Sequence, residues 1–408
     1  MSEVAQAPHS SPDGHSPQLR FPEFSGNWEE VPFYDCLNDI LDFRGRTPLK
    51  IGMDWGGGNI ISLSANNVKN GYIDFNAECH LGSGELYEKW MGKVKLVKND
   101  IVFTMEAPLG KALLVPDDKR YILSQRVVAF KTKDYIDNLY FIQLIWSNKF
   151  QNTVDRLSTG STAKGINQKS LKKVFVNIPL KPEQQKIADF LTAVDNKIEL
   201  LRQKQELLGE YKKGLMQQIF SQAIRFKADD GSDFPDWEEK RLGGCILENQ
   251  KSQIQVNFVS DNTERDDVNI YPFFTSGNKA LFTDSPIVEG DNIFLSTGGI
   301  ATINFYSGKG SYSTDVFCIS SVSENTRFIY YYLLSILIKI DRKLFYGSGL
   351  KHLDKKAFRK IITTLPALPE QTKIANFLSS VDSKIEQVGK QLDESKQFKK
   401  ALLQRMFV

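Results

Sequence analysis

Arginine, lysine and asparagine gather in short Gly-rich segments of this chain. In "DFRGRTPLK", Arg44, Arg46 and Lys50 surround a glycine turn, and in "SANNVKNG", Asn66, Asn67 and Lys69 follow an alternating apolar stretch. Further along, "TSGNK" supplies Ser276, Asn278 and Lys279, and "GKGSYSTD" supplies Lys309, Tyr312 and Ser313. Lys164 and Lys351 stand in two Gly-Ser segments that resemble each other. These residue types can hold phosphate oxygens and address base edges: Arg and Lys suit guanine, and the Asn amide suits adenine. Taken singly, each is more often a solvated loop residue. The elements that present them must decide.

Bond-making chemistry has no comparable set. "WGGGN" at Trp55 is a glycine run without the strand-to-helix setting of a cofactor loop, and there is no P-loop. No Asn/Asp-Pro-Pro-aromatic motif is present to grip a flipped base. "PDDK" at Pro116 echoes a nuclease carboxylate cluster but lacks a second, properly spaced acid. His9 and His15 lie near the start, and His80 and His352 have no evident partner. Cys36, Cys79, Cys245 and Cys318 form no CxxC pair, which argues against a zinc site or disulfide framework and fits a reducing cytoplasm. The chain therefore reads as non-catalytic. With 408 residues, 41% of them hydrophobic and 25% charged, it has apolar material for two cores and a prior of two or three domains. A net charge of +3 does not by itself imply a nucleic-acid partner, so local clustering would have to supply a binding face. No apolar run approaches 18 residues, so no membrane span is expected. Residues 1–18, rich in Ser, Pro and His, read as a disordered tail or a cloning remnant.

An internal repeat organises the chain. "PEQQKIADFLTAVDNKIELL" from Pro182 returns as "PEQTKIANFLSSVDSKIEQV" from Pro369, an offset of 187 residues; over 182–220 and 369–407, 18 of 39 positions are identical without gaps. Upstream at the same offset, "GSTAKGINQKSLKKVFVNIPL" from Gly160 matches "GSGLKHLDKKAFRKIITTLPAL" from Gly347. A looser repeat relates "LRFPEFSGNWEEVPFYDC" from Leu19 to "IRFKADDGSDFPDWEEKRLGGC" from Ile224, aligning Trp28 with Trp237 and Cys36 with Cys245. The stretches between, roughly 31–165 and 240–352, barely resemble each other. This is a tandem duplication: a repeated frame that holds two different middles.

The repeated helices start at Pro182 and Pro369, where a missing N–H costs nothing, and Glu183 adds favourable charge there. Apolar residues recur in heptads: Ile187, Val194, Leu201, Leu208 and Leu215 in one column, and Leu191, Ile198, Gln205, Lys212 and Ile219 in the other. The second helix has Ile374, Val381, Val388, Ser395 and Leu402, with Leu378, Ile385, Leu392, Lys399 and Met406. Such columns predict a coiled coil, with Lys212 and Lys399 as polar register residues. The simplest partner for each helix is the other, antiparallel; the plainer reading is two amphipathic helices packed on separate domains. At 1.5 Å per residue such a helix spans roughly 58 Å, more than one turn of B-DNA, and could act as a ruler. The middles read as mixed α/β, with strands in "NDIVFTM", "QRVVAFKT", "GDNIFLSTGGIATINFY" and "TDVFCISS". Their aromatic helical pieces, "NLYFIQLIW" and "RFIYYYLLSIL", read as core.

On the doubled "PEQ.KIA.FL..VD.KIE" helix starts, the Gly-Ser loops leading to "IPL.PEQ" and "LPALPEQ", and the Trp-Glu-Glu lead-ins, the chain resembles the specificity subunits of type I restriction–modification systems over about residues 19–408. The resemblance implies an α+β fold class: two mixed α/β target-recognition domains joined by two long antiparallel coiled-coil helices in a pseudo-two-fold, circular arrangement. It assigns 19–181 and 223–368 to the recognition domains and 182–222 and 369–408 to the spacer helices. It implies recognition of double-stranded DNA at a bipartite asymmetric site, each head taking one half. It also implies two methyltransferase subunits carrying S-adenosylmethionine and modifying adenine, and motor/restriction subunits using ATP and magnesium. None of those cofactors is expected in this chain. The competing readings are a coiled-coil protein scaffold without DNA and a self-contained methyltransferase or nuclease.

Overall fold

A computed structural model describes residues 16–161, 163–254, 270–277 and 281–408. By compactness the chain divides into two units, Met1–Arg202 with Gln391–Val408, and Gln203–Lys390. Each unit thus holds one head and segments of both long helices, Lys181–Phe220 and Leu368–Arg405.

In the first unit a four-stranded antiparallel sheet runs in the order Leu37–Asp42, Val127–Thr132, Ile101–Thr104, Ala112–Leu114. Its strands are apolar on both faces because both faces are covered. Ile101, Phe103, Val128 and Phe130 point into one core, which includes the aromatic helix Asn138–Trp146 and both long helices. Val102, Val127 and Ala129 point into a second core, beneath helix Gly84–Met91 and a smaller sheet. That smaller sheet has the order Leu81–Gly82, Ile60–Leu63, Tyr121–Leu123, and its last pair is parallel. Side chains alternate across a strand, so one segment can feed two cores. Fully buried aromatics such as Phe33, Phe103, Phe130 and Phe141 each contribute on the order of 2–3 kcal/mol of burial.

The second unit repeats this plan. Its four-stranded sheet has the order Ile246–Glu248, Val316–Ser321, Asp291–Ser296, Ile303–Ser307. Its three-stranded sheet has the order Leu281–Thr283, Tyr271–Phe274, Ser311–Tyr312, again with a parallel last pair. Ile293, Leu295, Phe317 and Ile319 face the core shared with helix Thr326–Ser335, while Phe294 and Cys318 face the other side. The two middles that barely resemble each other in sequence therefore share one topology.

The repeated motifs turn out to be latches. The lead-in strand Glu29–Pro32 pairs with Phe175–Ile178, and Glu238–Arg241 pairs with Ile362–Leu365. Buried Glu183 accepts two hydrogen bonds from Arg20, at 2.7 Å each, and one from the Trp28 indole at 3.2 Å. Buried Glu370 is held the same way by Arg225, at 3.2 and 2.8 Å. Glu183 is thus an ion-pair partner as well as a favourable charge at a helix start. Gln184 accepts from the Asp137 N–H and donates to the Pro179 carbonyl; Gln371 does the same with Asn325 and Pro366. Each Pro-Glu-Gln motif therefore ties the helix start to its lead-in and to the start of the aromatic helix.

Every residue of the predicted heptad columns is buried or half-buried. In the first unit Lys399 pairs with Asp195 at 2.6 Å, and Ile187 and Leu191 share a core with Leu402 and Met406. In the second, Lys212 pairs with Asp382 at 2.6 Å, Gln205 lies over Gly389, and Ile219 shares a core with Ile374 and Leu378. Within each unit the two helix segments therefore run antiparallel. The Lys residues lie over aromatic rings, Lys399 on Trp146 at 4.4 Å and Lys212 on Tyr331 at 5.2 Å. Burial pulls the Lys399 amine below the usual lysine range, and Asp195 opposes that shift. The Leu19 N–H donates to the Arg405 carbonyl and the Asn177 amide to that of Val408, so the first head meets the last helix.

Candidate nucleic-acid interface

In the first head, the ends of strands Ile60–Leu63, Tyr121–Leu123 and Val127–Thr132 open into a cleft of about 230 Å³. Trp55 and His80 stack face to face at 4.9 Å on its wall. Asn66, Gln125, Arg126 and Glu78 are among its polar lining. Of the predicted residues, Asn66 lines it and Arg46 adjoins it. The Arg46 carbonyl accepts from Gln125 at 3.3 Å, and its guanidinium lies over Phe43 at 4.6 Å. The Lys50 amine donates to the Gly45 carbonyl at 2.6 Å, and its side chain is otherwise exposed. Lys164 stands in the Gly160 loop, where its carbonyl accepts from the Ala107 N–H at 3.3 Å and its amine meets Asp155 at 2.6 Å.

The Gly-Ser loops are turns that need their glycine. Gly160 and Gly347 sit at φ +100° and +147°, and a Cβ on either would lie 2.4 and 2.6 Å from the carbonyl oxygens of Ala163 and Leu350. Both loops dock on the same strand end: Ile166 donates to the Met105 carbonyl, and Leu353 to that of Thr297. Lys351 matches Lys164, with its carbonyl accepting from the Gly299 N–H.

Other predicted residues are committed elsewhere. Arg44 is clamped to Asp42 through Nε at 2.9 Å, and the carboxylate also accepts from Gln168 at 2.7 Å. Burial opposes ionisation of Asp42, yet these bonds hold it below the ordinary carboxylate range. Asn67 is fully buried, its amide bonding Ser64 N–H and the Ser62 carbonyl, so it shapes a turn and faces no partner. Lys69 lies in the turn closed by Val68 and Ile73, which packs through Gly71 on Trp146 rather than lining the cleft. Tyr312 and Ser313 are buried as well: the phenol donates to the Gln250 carbonyl and the hydroxyl to Asp315. Ser276 also donates to Asp315, so these hydroxyls serve a carboxylate inside the head. Lys309 is exposed in a turn at the Asp291–Ser307 end of its hairpin, opposite the end that carries Thr297. Asn278 and Lys279 lie outside the described residues.

His80, Gln125 and Arg126 were not among the sequence candidates. A signal existed: "SQRVVAF" and "STDVFCI" begin strands that the structure superposes in role, Ser124 and Ser313 each donating a backbone bond to the end of the preceding parallel strand. Among the described residues, no group of three or more His, Cys, Asp and Glu side chains is placed to hold a metal ion. No described helix is long and apolar enough to cross a membrane.

The duplication seen in sequence and topology is matched by a family model, the type I restriction modification DNA specificity domain, which fits residues 27–210 and again 235–394. The chain belongs to that family. It is a type I specificity subunit, and its two heads are target-recognition domains. Curated relatives agree along nearly the whole length. The chain is 27% identical over 412 residues to a putative type I restriction enzyme MjaX specificity subunit of Methanocaldococcus jannaschii, covering 93% of each. It is 26% identical over 427 residues to the MjaVIII specificity subunit of the same organism, covering 94% of this chain and 92% of the relative. Among solved structures, a type I S subunit from M. genitalium has the same fold, with a TM-score of 0.64 at 17% identity over 96% of this chain and 99% of that one. A chain solved in work on complex assembly and conformational transition of the type I R-M system aligns with a TM-score of 0.51 at 16% identity, covering 92% and 96%.

Proposed function

We propose that the two target-recognition domains read the two halves of one split, asymmetric double-stranded DNA site, and that this chain performs no catalysis itself. In this reading it directs adenine methylation, or restriction, by partner subunits. The observation that carries the reading is the pairing of one topology with two different sets of side chains. Two equal frameworks suit two stretches of the same polymer, and their differing tips suit two different sequences. Two methyltransferase subunits would supply S-adenosylmethionine chemistry, and motor/restriction subunits would supply ATP- and magnesium-dependent work. Two like partners call for two like surfaces, and the helices offer them. Tyr211 and Phe398, 187 residues apart, are 54% and 53% exposed, and Lys197 and Lys384 are exposed at a second matched position. Long helices of this length would set the gap between half-sites.

Methylome sequencing of cells with and without this chain tests the reading. The expected result is one bipartite adenine-methylated motif that disappears with the chain. Turnover by the purified chain alone, with DNA and cofactor but no partner, would support a self-contained enzyme instead. DNA binding that is absent at low salt would support the scaffold reading, because phosphate contacts weaken steeply with salt.

A further inference from the structure

We propose that Arg126 reads a guanine of the half-site bound by the first head, with Gln125 and Asn66 flanking it, and that the second head has no such reader at the equivalent position. This rests on the DNA reading above and assigns residues within it.

Three observations converge on Arg126. First, its backbone is held at φ +68°, a conformation that costs a non-glycine residue on the order of 1 kcal/mol or more. Its carbonyl is anchored there, accepting from the Met105 N–H at 2.8 Å, next to the docked Gly160 loop. Second, Arg126 lines the cleft that holds the Trp55–His80 stack, and Asn66 and Gln125 belong to the same lining, the Gln125 amide reaching the Arg46 carbonyl at 3.3 Å. These are the side chains that pair with purine edges, Arg with guanine and Asn or Gln with adenine. Third, the guanidinium is only loosely engaged. Its Nε lies 3.7 Å from Glu106, and the two side chains are 52% and 50% exposed. An ion pair so exposed contributes little, so it yields to a stronger acceptor.

The second head supplies the contrast. Thr297 N–H donates to the Asp315 carbonyl at 2.9 Å, as Met105 does to Arg126, so Asp315 occupies the matched position. There the side chain turns inward, and Ser276 and Ser313 both donate to its carboxylate. The matched backbone hydrogen bond is thus kept in both heads, but the left-handed backbone and the loosely held donor belong to the first, while the second carries an acceptor already bonded by two hydroxyls.

The test uses the complete system in cells and the purified assembled complex. Arg126→Gly removes the guanidinium at a φ that glycine adopts without strain, so the variant keeps the fold. Wild-type cells first define the motif. The expected result for Arg126→Gly is loss of discrimination at a single G·C pair of one half-site, with the other half-site and the gap unchanged. Binding to duplexes carrying each base at that position should then differ by less than twofold, where the wild type discriminates about 5- to 150-fold. An unchanged motif with unchanged discrimination would overturn the assignment. So would a uniform loss of affinity for every duplex, which marks a phosphate contact. If wild-type cells show no motif that depends on this chain, the DNA reading itself fails, and that outcome is distinct from either of these.

Discussion

At the scale of single residues, the repeated carboxylates do more than their helix-terminal position suggests. Glu183 bridges Arg20 and the Trp28 indole, whereas Glu370 holds Arg225 alone. Glu183→Ala would strand a largely buried guanidinium and indole, so we expect a loss of about 2–4 kcal/mol in the first unit. Glu370→Ala should strand only the Arg225 guanidinium in the second, with a smaller loss. Amide exchange resolved by segment checks this: Glu183→Ala should open residues around Trp28 while leaving those around Trp237 protected. Asp315 provides a pH-dependent case. Burial opposes its ionisation, but the Ser276 and Ser313 hydroxyls hold its carboxyl below the usual 3.8. A depressed carboxylate adds stability that is complete above 3.8 and is lost as pH falls through the lower folded value. Asp315→Asn should therefore cost about 1 kcal/mol at neutral pH and flatten the acid side of the stability curve below about pH 4, measured by denaturant unfolding.

Among the elements, the Gly-Ser loops join repeated frame to variable head. Both glycines combine a left-handed backbone with a carbonyl oxygen where a Cβ would sit. Gly160→Ala should therefore cost about 2 kcal/mol or more and detach the loop that carries Lys164 from Met105 and Ala107. Raised exchange at Ile166 and Ala107, with the long helices unchanged, is the expected signature; unaltered exchange would show that the loop has room to relax. The helices follow a different logic. Their polar seam residues are paired rather than merely tolerated, Lys399 with Asp195 and Lys212 with Asp382. Gln205 fits the seam because Gly389 stands opposite, where a Cβ would lie 2.8 Å from the amide.

For the whole molecule, the proposed ruler can be shortened. Deleting one heptad from each helix, 201–207 and 388–394, leaves the Asp195–Lys399 and Asp382–Lys212 pairs intact and keeps the seam in phase. Seven residues at 1.5 Å remove about 10 Å, or roughly three base pairs at 3.4 Å each. Three pairs are about a third of a DNA turn, so the heads would also meet the duplex at a different angle. The expected outcome is a motif with a shorter gap and unchanged half-sites, or no binding. Methylome sequencing separates these, and a motif with altered half-site bases and the original gap would show that the helices read sequence.

The repeated frame is legible in the amino-acid sequence. Heptad columns and an 18-of-39 repeat place both long helices and their seam, because coiled-coil burial depends on local periodicity; that the segments pair antiparallel came from contacts such as Lys399–Asp195 and Lys212–Asp382. Alternating apolar runs likewise foretell the head strands, and the aromatic helices as core. Tertiary structure decided everything that depends on partners distant in the chain. Glu183 meets Arg20 across 163 residues, which no local pattern announces. Asn67, Tyr312 and Ser313 have the composition of exposed loop residues, yet are buried because turns and a carboxylate needed their hydrogen bonds. Arg126 became a candidate only through its left-handed backbone, its anchoring by Met105 and a cleft built from separate strands. The common topology of the heads was equally hidden, since a sheet covered on both faces requires apolar side chains along its strands without requiring the same ones.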